Sequence, residues 1–207
     1  MAEINPELVG KLLELFRRYG IRSVTTNDIA RELGISKKTL YEQFADKSAM
    51  VEQTIMLMYR NLEAQLVAVK ENKVGAIASL FTIYQHINEF MLSTSPTMRY
   101  DLQKYYPELY QYAFRIFNEI IYNMQVENME QGKAEGVYRD MDTDIIARVL
   151  THKVQRSTME IFTTEELYSG RVQRELLLYH LYGICNEQGH IQVNRWLSEH
   201  NSSNPKI

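Results

Sequence analysis

The chain has 207 residues, 45% of them hydrophobic and 24% charged, with a formal net charge of -3. This composition is typical of a globular protein with one sizeable domain, or a small domain and a larger one. The single cysteine excludes an intramolecular disulfide and a multi-cysteine zinc site. No apolar run approaches the roughly 18 residues that a membrane span needs, and the N-terminus lacks the apolar core of a signal peptide. We therefore expect a cytoplasmic protein.

Apolar residues recur at helical spacing along most of the chain, which predicts an all-α fold of roughly nine helices and no strands. The first helix carries an apolar stripe and ends at Gly20. Thr25 and Asp28 predict a capping box for a short second helix, which stops at Gly34. Ser36 is the expected N-cap of a third short helix.

Longer helices are predicted in the rest of the chain. Asp46 can cap the fourth helix, and Pro107 is a predicted first residue of another, since proline is favoured at that position. A loop is expected over 132–141. Thr163 with Glu166 predicts a capping box for a last long helix that reaches about Gly189. The polar tail after this helix, from residue 201, is expected to fray.

Residues 25–44 predict a helix-turn-helix, because two short helices flank a tight turn at Gly34. The first turn of the second helix carries hydroxyls and ammonium groups beside unpaired backbone amides, and this arrangement suits phosphates or base edges. The neighbouring helices also begin with hydroxyl or ammonium side chains, so three helix N-termini form a predicted phosphate clamp. A merely solvated lysine pair is the competing interpretation, which the spacing and the caps disfavour. The predicted DNA-binding residues are Thr25, Thr26, Ser36, Lys37, Lys38, Thr39, Tyr41 and Lys47.

The stretch VTTNDIARELGISKKTLYEQFADKSAMV resembles the DNA-binding head of the TetR (tetracycline-repressor) family, over residues 8 to about 52. The resemblance implies a dimer whose second short helix enters the major groove of DNA. It places Lys37 and Lys38 at base-contacting positions and Tyr41 at a phosphate or base. The positions that it assigns to phosphates are those of Thr26, Thr39 and Lys47. Many members have a small residue or proline where this chain has Lys38, so the operator sequence stays open.

The resemblance also implies a DNA-binding domain over 1–50 and a helical ligand-binding and dimerisation domain over 51–200. In such regulators a small molecule binds between the middle helices and lowers the affinity for DNA. Aromatic, methionine and polar side chains at helical spacing are weak candidates for the pocket, with core packing as the alternative. The candidate ligand-binding residues are Tyr84, Asn88, Met91, Phe117, Ile121 and Met124.

The predicted last helix is apolar on nearly all sides, so it is either central to one subunit or packed against a partner. The resemblance favours a two-fold, four-helix interface that this helix forms with the helix predicted over 142–162. The candidate residues of the dimer interface are Leu177, Leu178, Leu181 and Tyr182.

No pattern of catalytic or metal-binding residues is found. The five histidines have no metal-ligand spacing, and Cys185 lies in an apolar helix where packing is its expected role. The helix-turn-helix and the resemblance predict a sequence-specific DNA-binding regulator, and without a catalytic pattern we expect that it is not an enzyme. We expect a repressor that a small-molecule inducer releases from double-stranded operator DNA, acting as a homodimer with no cofactor, metal or membrane. A helical ligand-sensing or protein-interaction module without DNA-binding activity is the alternative.

Overall fold

The computed structural model describes residues 5–163, 165, 166 and 169–200, with the backbone alone for 152–160. The tail from residue 201, expected to fray, lies outside this part. Among the described residues the one pairing of β type is an isolated bridge between Tyr138 and Cys185, so the all-α prediction is confirmed. The ten helices of the described residues are α1 Pro6–Tyr19, α2 Thr26–Glu32, α3 Lys37–Gln43, α4 Lys47–Glu71, α5 Ala76–Ser93, α6 Pro96–Tyr105, α7 Pro107–Ala134, α8 Thr143–Ile161, α9 Arg171–Ile184 and α10 Glu187–His200.

The chain divides into two compact units. The first unit comprises residues 1–62 and 90–117, and the second comprises 63–89 and 118–207. The long helices α4, α5 and α7 each contribute residues to both units. The boundary expected at residue 50 separates a DNA-binding domain from a ligand-binding and dimerisation domain. This functional boundary stays a prediction.

The core of the first unit lies beneath the helix-turn-helix. Apolar side chains from α1 to α4 meet there, and each fully buried one stabilises the unit by roughly 1.5–3 kcal/mol. Residues of α6 and the start of α7 close the same core. Its members with the lowest exposure include Leu12, Phe16, Ile21, Ile29, Leu40, Met50, Val51 and Met98.

The second unit has its own core, built from α5, the later part of α7, the start of α8, α9 and α10. The rings of Phe81 and Trp196 stack in it with centroids 3.6 Å apart, so α10 lies directly against α5. Buried residues of this core include Ala76, Leu80, Met129, Ala147, Leu177, Leu181 and Val193. Leu177 and Leu181 therefore point into their own subunit.

The predicted last long helix is in fact two helices. Helix α9 ends at Ile184, because Cys185 adopts extended backbone angles. The side chain of Asn186 then accepts a hydrogen bond from the amide of Gly189, which caps α10, and donates one to the carbonyl of Gly136. The half-buried Asn186 was not recognised as a helix cap from the sequence.

One other boundary differs from the prediction, and α6, at Pro96–Tyr105, was not among the predicted helices. Helix α7 continues through Gly132, where a loop was predicted, and ends at Ala134. Gly132 is needed for close packing, since a Cβ atom there would lie 2.0 Å from the ring of Tyr138.

Replacing Gly132 with alanine should destabilise the protein. The added methyl group would collide with the Tyr138 ring, and relieving such overpacking costs about 1–3 kcal/mol. Gly10→Ala is a matched control, because Gly10 lies in α1 with no atom within 4 Å of its virtual Cβ, and alanine is the better helix former. Urea denaturation followed by circular dichroism measures both. Equal stability of the Gly132 variant and the wild type would contradict the close packing of Gly132 against the Tyr138 ring.

Candidate nucleic-acid interface and ligand pocket

The helix-turn-helix is held by its caps and its turn. The hydroxyl of Thr25 accepts from the amide of Asp28 at 3.2 Å, and the carboxylate of Asp28 accepts from the amide of Thr25 at 3.0 Å. The hydroxyl of Thr25 also donates to the Asp28 carboxylate at 2.6 Å, and this bond, together with the one from the Thr25 amide, lowers the pKa of Asp28. Ser36 caps α3 by accepting from the amide of Thr39 at 3.0 Å. Gly34 has a φ of 66°, the left-handed conformation that glycine adopts without strain. The predicted caps and turn are confirmed.

Helix α3 has one buried face and one exposed face. Leu40 is fully buried, and Phe44 at the end of α3 is 2% exposed. The remaining face carries five of the predicted DNA-binding residues, all exposed: Ser36, Lys37, Lys38, Thr39 and Tyr41. The small core thus holds α3 so that these ammonium, hydroxyl and phenol groups are exposed to solvent.

Tyr41 connects the exposed face of α3 to the start of α2. Its hydroxyl lies 3.4 Å from the hydroxyl of Thr26, and both belong to exposed or half-buried side chains. Two neighbouring hydroxyls at the beginning of a helix can donate to the oxygens of one phosphate. The structure brings these two predicted residues together, with Thr25 one position before Thr26.

Lys47, at the start of α4, is held at the loop between α1 and α2. Its ammonium group donates to the carbonyl of Ile21 at 2.6 Å. Burial lowers its pKa, the charge of Asp101 opposes this shift, and the charge of Arg22 adds to it. A phosphate contact by Lys47 remains a prediction, and in this structure one of its hydrogens is already directed to the protein backbone.

Sequence reasoning missed two residues beside Lys47. The carboxylate of Asp101, in α6, accepts from the backbone amide of Arg22 at 2.8 Å. Asp101 is 6% exposed. Nothing in the local sequence links residues that are 79 positions apart, so only the packing of α6 against the loop reveals this contact.

A pocket in the second unit contains two of the predicted ligand-binding residues. Tyr84 and Asn88 lie on α5, and the empty volume beside them is about 320 Å³, part of it open to solvent. The other lining residues are Gln85, Gly170, Gln173, Arg174 and Leu177. The side chains around the space are therefore mostly polar.

Behind Tyr84, a histidine is buried in the second unit. The hydroxyl of Tyr84 lies 2.9 Å from Nδ1 of His180, which is 3% exposed. Burial lowers the pKa of His180 to about 3, so its imidazole is neutral at physiological pH. Burial also raises the pKa of Tyr84, which keeps the phenol protonated. The two groups form an uncharged hydrogen-bonding pair that the sequence pattern did not indicate.

The other predicted ligand-binding residues do not line this pocket. Ile121 and Met124 are buried in the second unit, with 6% and 9% exposure. Met91 and Phe117 belong to the first unit, where Phe117 stacks on Phe90 with ring centroids 5.4 Å apart. The six candidates are thus divided between the two units.

The candidate interface residues of α9 have different surroundings. Leu177 and Leu181 are buried in the core of their own unit, Leu178 is half-buried, and Tyr182 is 43% exposed. Tyr179, which was not among the candidates, is 78% exposed. Helix α8 also exposes apolar residues, at Ile145 and Val149. The side chains of 152–160, in the interface helix predicted over 142–162, lie outside the described residues.

Two further classes of site are not found in the described part of the chain. No group of three or more histidine, cysteine, aspartate or glutamate side chains there could hold a metal ion. Cys185 is 5% exposed, and burial raises the pKa of its thiol to about 11, which disfavours the reactive thiolate. Within the same residues, no helix combines the length and apolarity that crossing a membrane requires.

Comparison with known proteins places the helix-turn-helix in a known class. Residues 11–54 match the family model described as bacterial regulatory proteins, tetR family. The HTH-type transcriptional repressor KstR2 of Mycobacterium tuberculosis is 28% identical over 191 residues, which cover 86% of this chain and 93% of that protein. The biofilm operon icaADBC HTH-type negative transcriptional regulator IcaR of Staphylococcus aureus is 22% identical over 138 residues, covering 66% of this chain and 68% of that protein.

A solved structure shares the fold. The transcriptional regulator from Cytophaga hutchinsonii aligns with a TM-score of 0.74 at 18% identity, covering 87% of this chain and 97% of that one. The similarity therefore extends well beyond the helix-turn-helix.

The buried histidine should make the protein less stable in mild acid. At a pH below 6.5, the ordinary pKa of a histidine, the unfolded chain binds a proton on His180. The folded chain binds this proton only near pH 3. The contribution of neutral His180 to the free energy of unfolding is therefore complete above about pH 6.5 and is lost as the pH falls, by up to about 1.4 kcal/mol per pH unit.

His180→Gln, which retains a hydrogen-bonding partner for Tyr84, should flatten this pH dependence between about pH 6.5 and 4. Urea denaturation over a pH series measures it. His200→Gln distinguishes the loss of the buried imidazole from the loss of any imidazole, since His200 lies at the exposed end of α10. Parallel curves for the wild type and His180→Gln would contradict the assignment of His180 as a neutral buried group.

Proposed function

The chain belongs to the TetR family of transcriptional regulators, and we propose that it is a homodimeric repressor which a small molecule releases from operator DNA. The observation that carries the proposal is the capped helix-turn-helix, whose α3 exposes Lys37, Lys38, Thr39 and Tyr41 to solvent. The match of residues 11–54 to the family model supports the same role. Both relatives described above bear the names of transcriptional repressors or negative regulators.

Helix α3 is the proposed reading element. Lysine ammonium groups can donate to guanine O6 and N7 in the major groove, and hydroxyls at the helix starts can bind phosphates. Lys37 and Lys38 take the first role, and Thr26, Thr39 and Tyr41 take the second. Family members act as dimers, and two-fold symmetry sets two such helices about 34–36 Å apart, one turn of DNA. We expect an operator with two inverted half-sites.

The dimer interface is proposed to lie on α8 and α9. Both helices expose apolar side chains that lack cover within the described subunit: Ile145 and Val149 on α8, and Tyr179 and Tyr182 on α9. Exposed aromatic and aliphatic residues on adjacent helices are typical of subunit contacts. The role proposed for α9 in dimerisation thus rests on its tyrosines rather than on Leu177 and Leu181.

The ligand site is proposed to include the pocket beside Tyr84 and Asn88. The Oδ1 atom of Asn88 has no hydrogen-bond partner among the described residues, and a buried polar atom of this kind costs about 1–3 kcal/mol unless it is satisfied. A small molecule with hydrogen-bonding groups would satisfy it beside the ring of Tyr84. Preferential binding to the conformation with low DNA affinity would shift the population away from the operator-bound state. A coupling of about 1–3 kcal/mol would weaken DNA binding by roughly 5–150-fold.

The domain arrangement and location follow from this function. Residues 1–50 are proposed to bind DNA, and 51–200 to bind the ligand and the partner subunit. The protein would act in the bacterial cytoplasm, where the chromosome lies, and no catalytic role is proposed for it.

Removing the lysines of α3 tests the DNA-reading role. The double variant Lys37→Ala, Lys38→Ala should bind its operator at least tenfold more weakly, because base and phosphate contacts are each worth about 1–3 kcal/mol. Fluorescence anisotropy with DNA flanking the protein's own gene and excess nonspecific competitor measures the affinity. Lys73→Ala, which removes an exposed charge from the second unit, is the control. Unchanged affinity of the double variant would refute the assigned role of α3.

A charge on α9 tests the dimer interface. Tyr179→Glu should shift the protein from dimer to monomer, since a buried carboxylate without a partner is strongly disfavoured at a subunit contact. Sedimentation velocity measures the distribution. Ile191→Glu is the matched control, because Ile191 is an exposed apolar residue of α10, 52% accessible, outside the proposed interface. A dimer that withstands Tyr179→Glu would place the interface elsewhere.

A further inference from the structure

Helix α6 packs against the loop that precedes the helix-turn-helix and is hydrogen-bonded to it. The buried carboxylate of Asp101 accepts from the backbone amide of Arg22 at 2.8 Å. Gly20 lies so close to α6 that a Cβ atom there would be 2.7 Å from the side chain of Thr97. Residues 90–117 and 1–62 belong to the same compact unit. Helix α6 therefore forms part of the surface that surrounds the DNA-binding head.

The outer side of this junction carries two cations held by two tyrosines. The guanidinium group of Arg22 lies 4.4 Å from the ring centroid of Tyr105. The ammonium group of Lys104 donates to the hydroxyl of Tyr100 at 2.7 Å and lies 5.4 Å from the Tyr105 ring. The hydrogen bond to Tyr100 raises the pKa of Lys104, so its charge persists. All four side chains are exposed. Arg22, Tyr100, Lys104 and Tyr105 together form the α6 basic surface.

These cations have no carboxylate to neutralise them. Neither Arg22 nor Lys104 forms an ion pair with any residue that the structure describes. Two carboxylates that act on the neighbouring Lys47 have other contacts: Asp101 accepts from the Arg22 backbone amide, and Asp28 caps α2 and pairs with Arg31. Cation–π contacts orient the two charges without removing them. The α6 basic surface can therefore bind an anion from another molecule.

The α6 basic surface is continuous with the predicted phosphate clamp. Arg22 comes three residues before the N-cap Thr25. Its backbone neighbour Ile21 accepts the hydrogen bond from Lys47, and the Arg22 charge acts on the Lys47 ammonium. A path of donors therefore leads from Thr25 and Lys47 through Arg22 to Lys104.

We propose that the α6 basic surface binds the phosphate backbone of the duplex that flanks each half-site, and so extends the DNA contact beyond the helix-turn-helix. This inference rests on the proposed DNA-binding function. Guanidinium, ammonium and phenol groups bind phosphate oxygens without reading sequence, so the surface adds affinity and positions the head on the duplex. Regularly spaced phosphates in a flanking duplex match a path of successive donors better than a single small anion does.

The proposal predicts that affinity depends on the length of the DNA. An operator fragment trimmed to its two half-sites should bind more weakly than the same fragment with about 10 additional base pairs on each side, one helical turn. The Lys104→Gln variant should lose most of this gain. Each phosphate contact contributes about 0.9 to the slope of log affinity against log salt, so this variant should also show a shallower slope on the longer fragment by about that amount.

The experiment compares the wild type, Lys104→Gln and Lys73→Gln on both fragments by fluorescence anisotropy over a salt series. Lys73→Gln is matched because it also removes one exposed lysine charge that forms no ion pair among the described residues, but from the second unit. We expect about a fivefold or greater gain from the flanks for the wild type and Lys73→Gln, and little for Lys104→Gln. Arg22→Gln, which keeps the backbone amide bonded to Asp101, provides a second variant with the same expected loss.

Equal affinity of the wild type for the two fragments would overturn the inference, and so would an unchanged salt slope in both Lys104→Gln and Arg22→Gln. Both results would be expected if the α6 basic surface bound a protein instead of DNA. Absence of specific binding to either fragment is a different outcome, since it would refute the proposed DNA-binding function together with the inference.

Discussion

The candidate interface depends on the burial of Leu40 and Phe44 beneath two helices that are too short to persist alone. Helices α2 and α3 have seven residues each, and isolated helices shorter than about 12–15 residues are marginal in water. Their caps contribute about 1 kcal/mol each, and each fully buried leucine or phenylalanine roughly 1.5–3 kcal/mol. Because this core fixes the rotation of α3, it also determines which side chains can meet the major groove. Function at the surface is thus set by packing beneath it.

The charge of the protein is arranged locally rather than as a net positive field. Residues 1–50 contain eight lysines and arginines and seven aspartates and glutamates, in a chain whose net charge is -3. Several of these carboxylates are occupied within the head: Glu7 and Glu14 pair with cations of α1, and Asp28 closes the cap of α2. In the second unit, by contrast, the pair of Tyr84 and His180 is uncharged. Charged groups are thus exposed on the head of this acidic protein, while a neutral hydrogen-bonding pair lies in the second unit.

Local signals predicted the part of the structure that local interactions determine. The caps at Thr25 and Ser36 and the turn at Gly34 involve residues within a few positions of each other, so the sequence alone sufficed for the helix-turn-helix and its exposed face. Contacts between distant residues were missed, among them Asp101 with Arg22 and Tyr84 with His180, because no spacing rule connects them. Apolar periodicity also failed to divide α9 from α10, where Cys185 adopts extended backbone angles and the side chain of Asn186 caps α10. It did not indicate which leucines of α9 face inward, since that depends on the helices packed around them.

Binding of the wild-type protein to the DNA that flanks its own gene tests the central claim most directly. Fluorescence anisotropy with excess nonspecific competitor, repeated over a series of salt concentrations, would measure it. The account predicts tight binding that resists the competitor and weakens steeply with salt, because a reading helix supplies specificity and several phosphate contacts release counterions. Binding that disappears with competitor, or that does not depend on salt, would contradict the assignment of α3 and its surroundings as a specific DNA-reading surface.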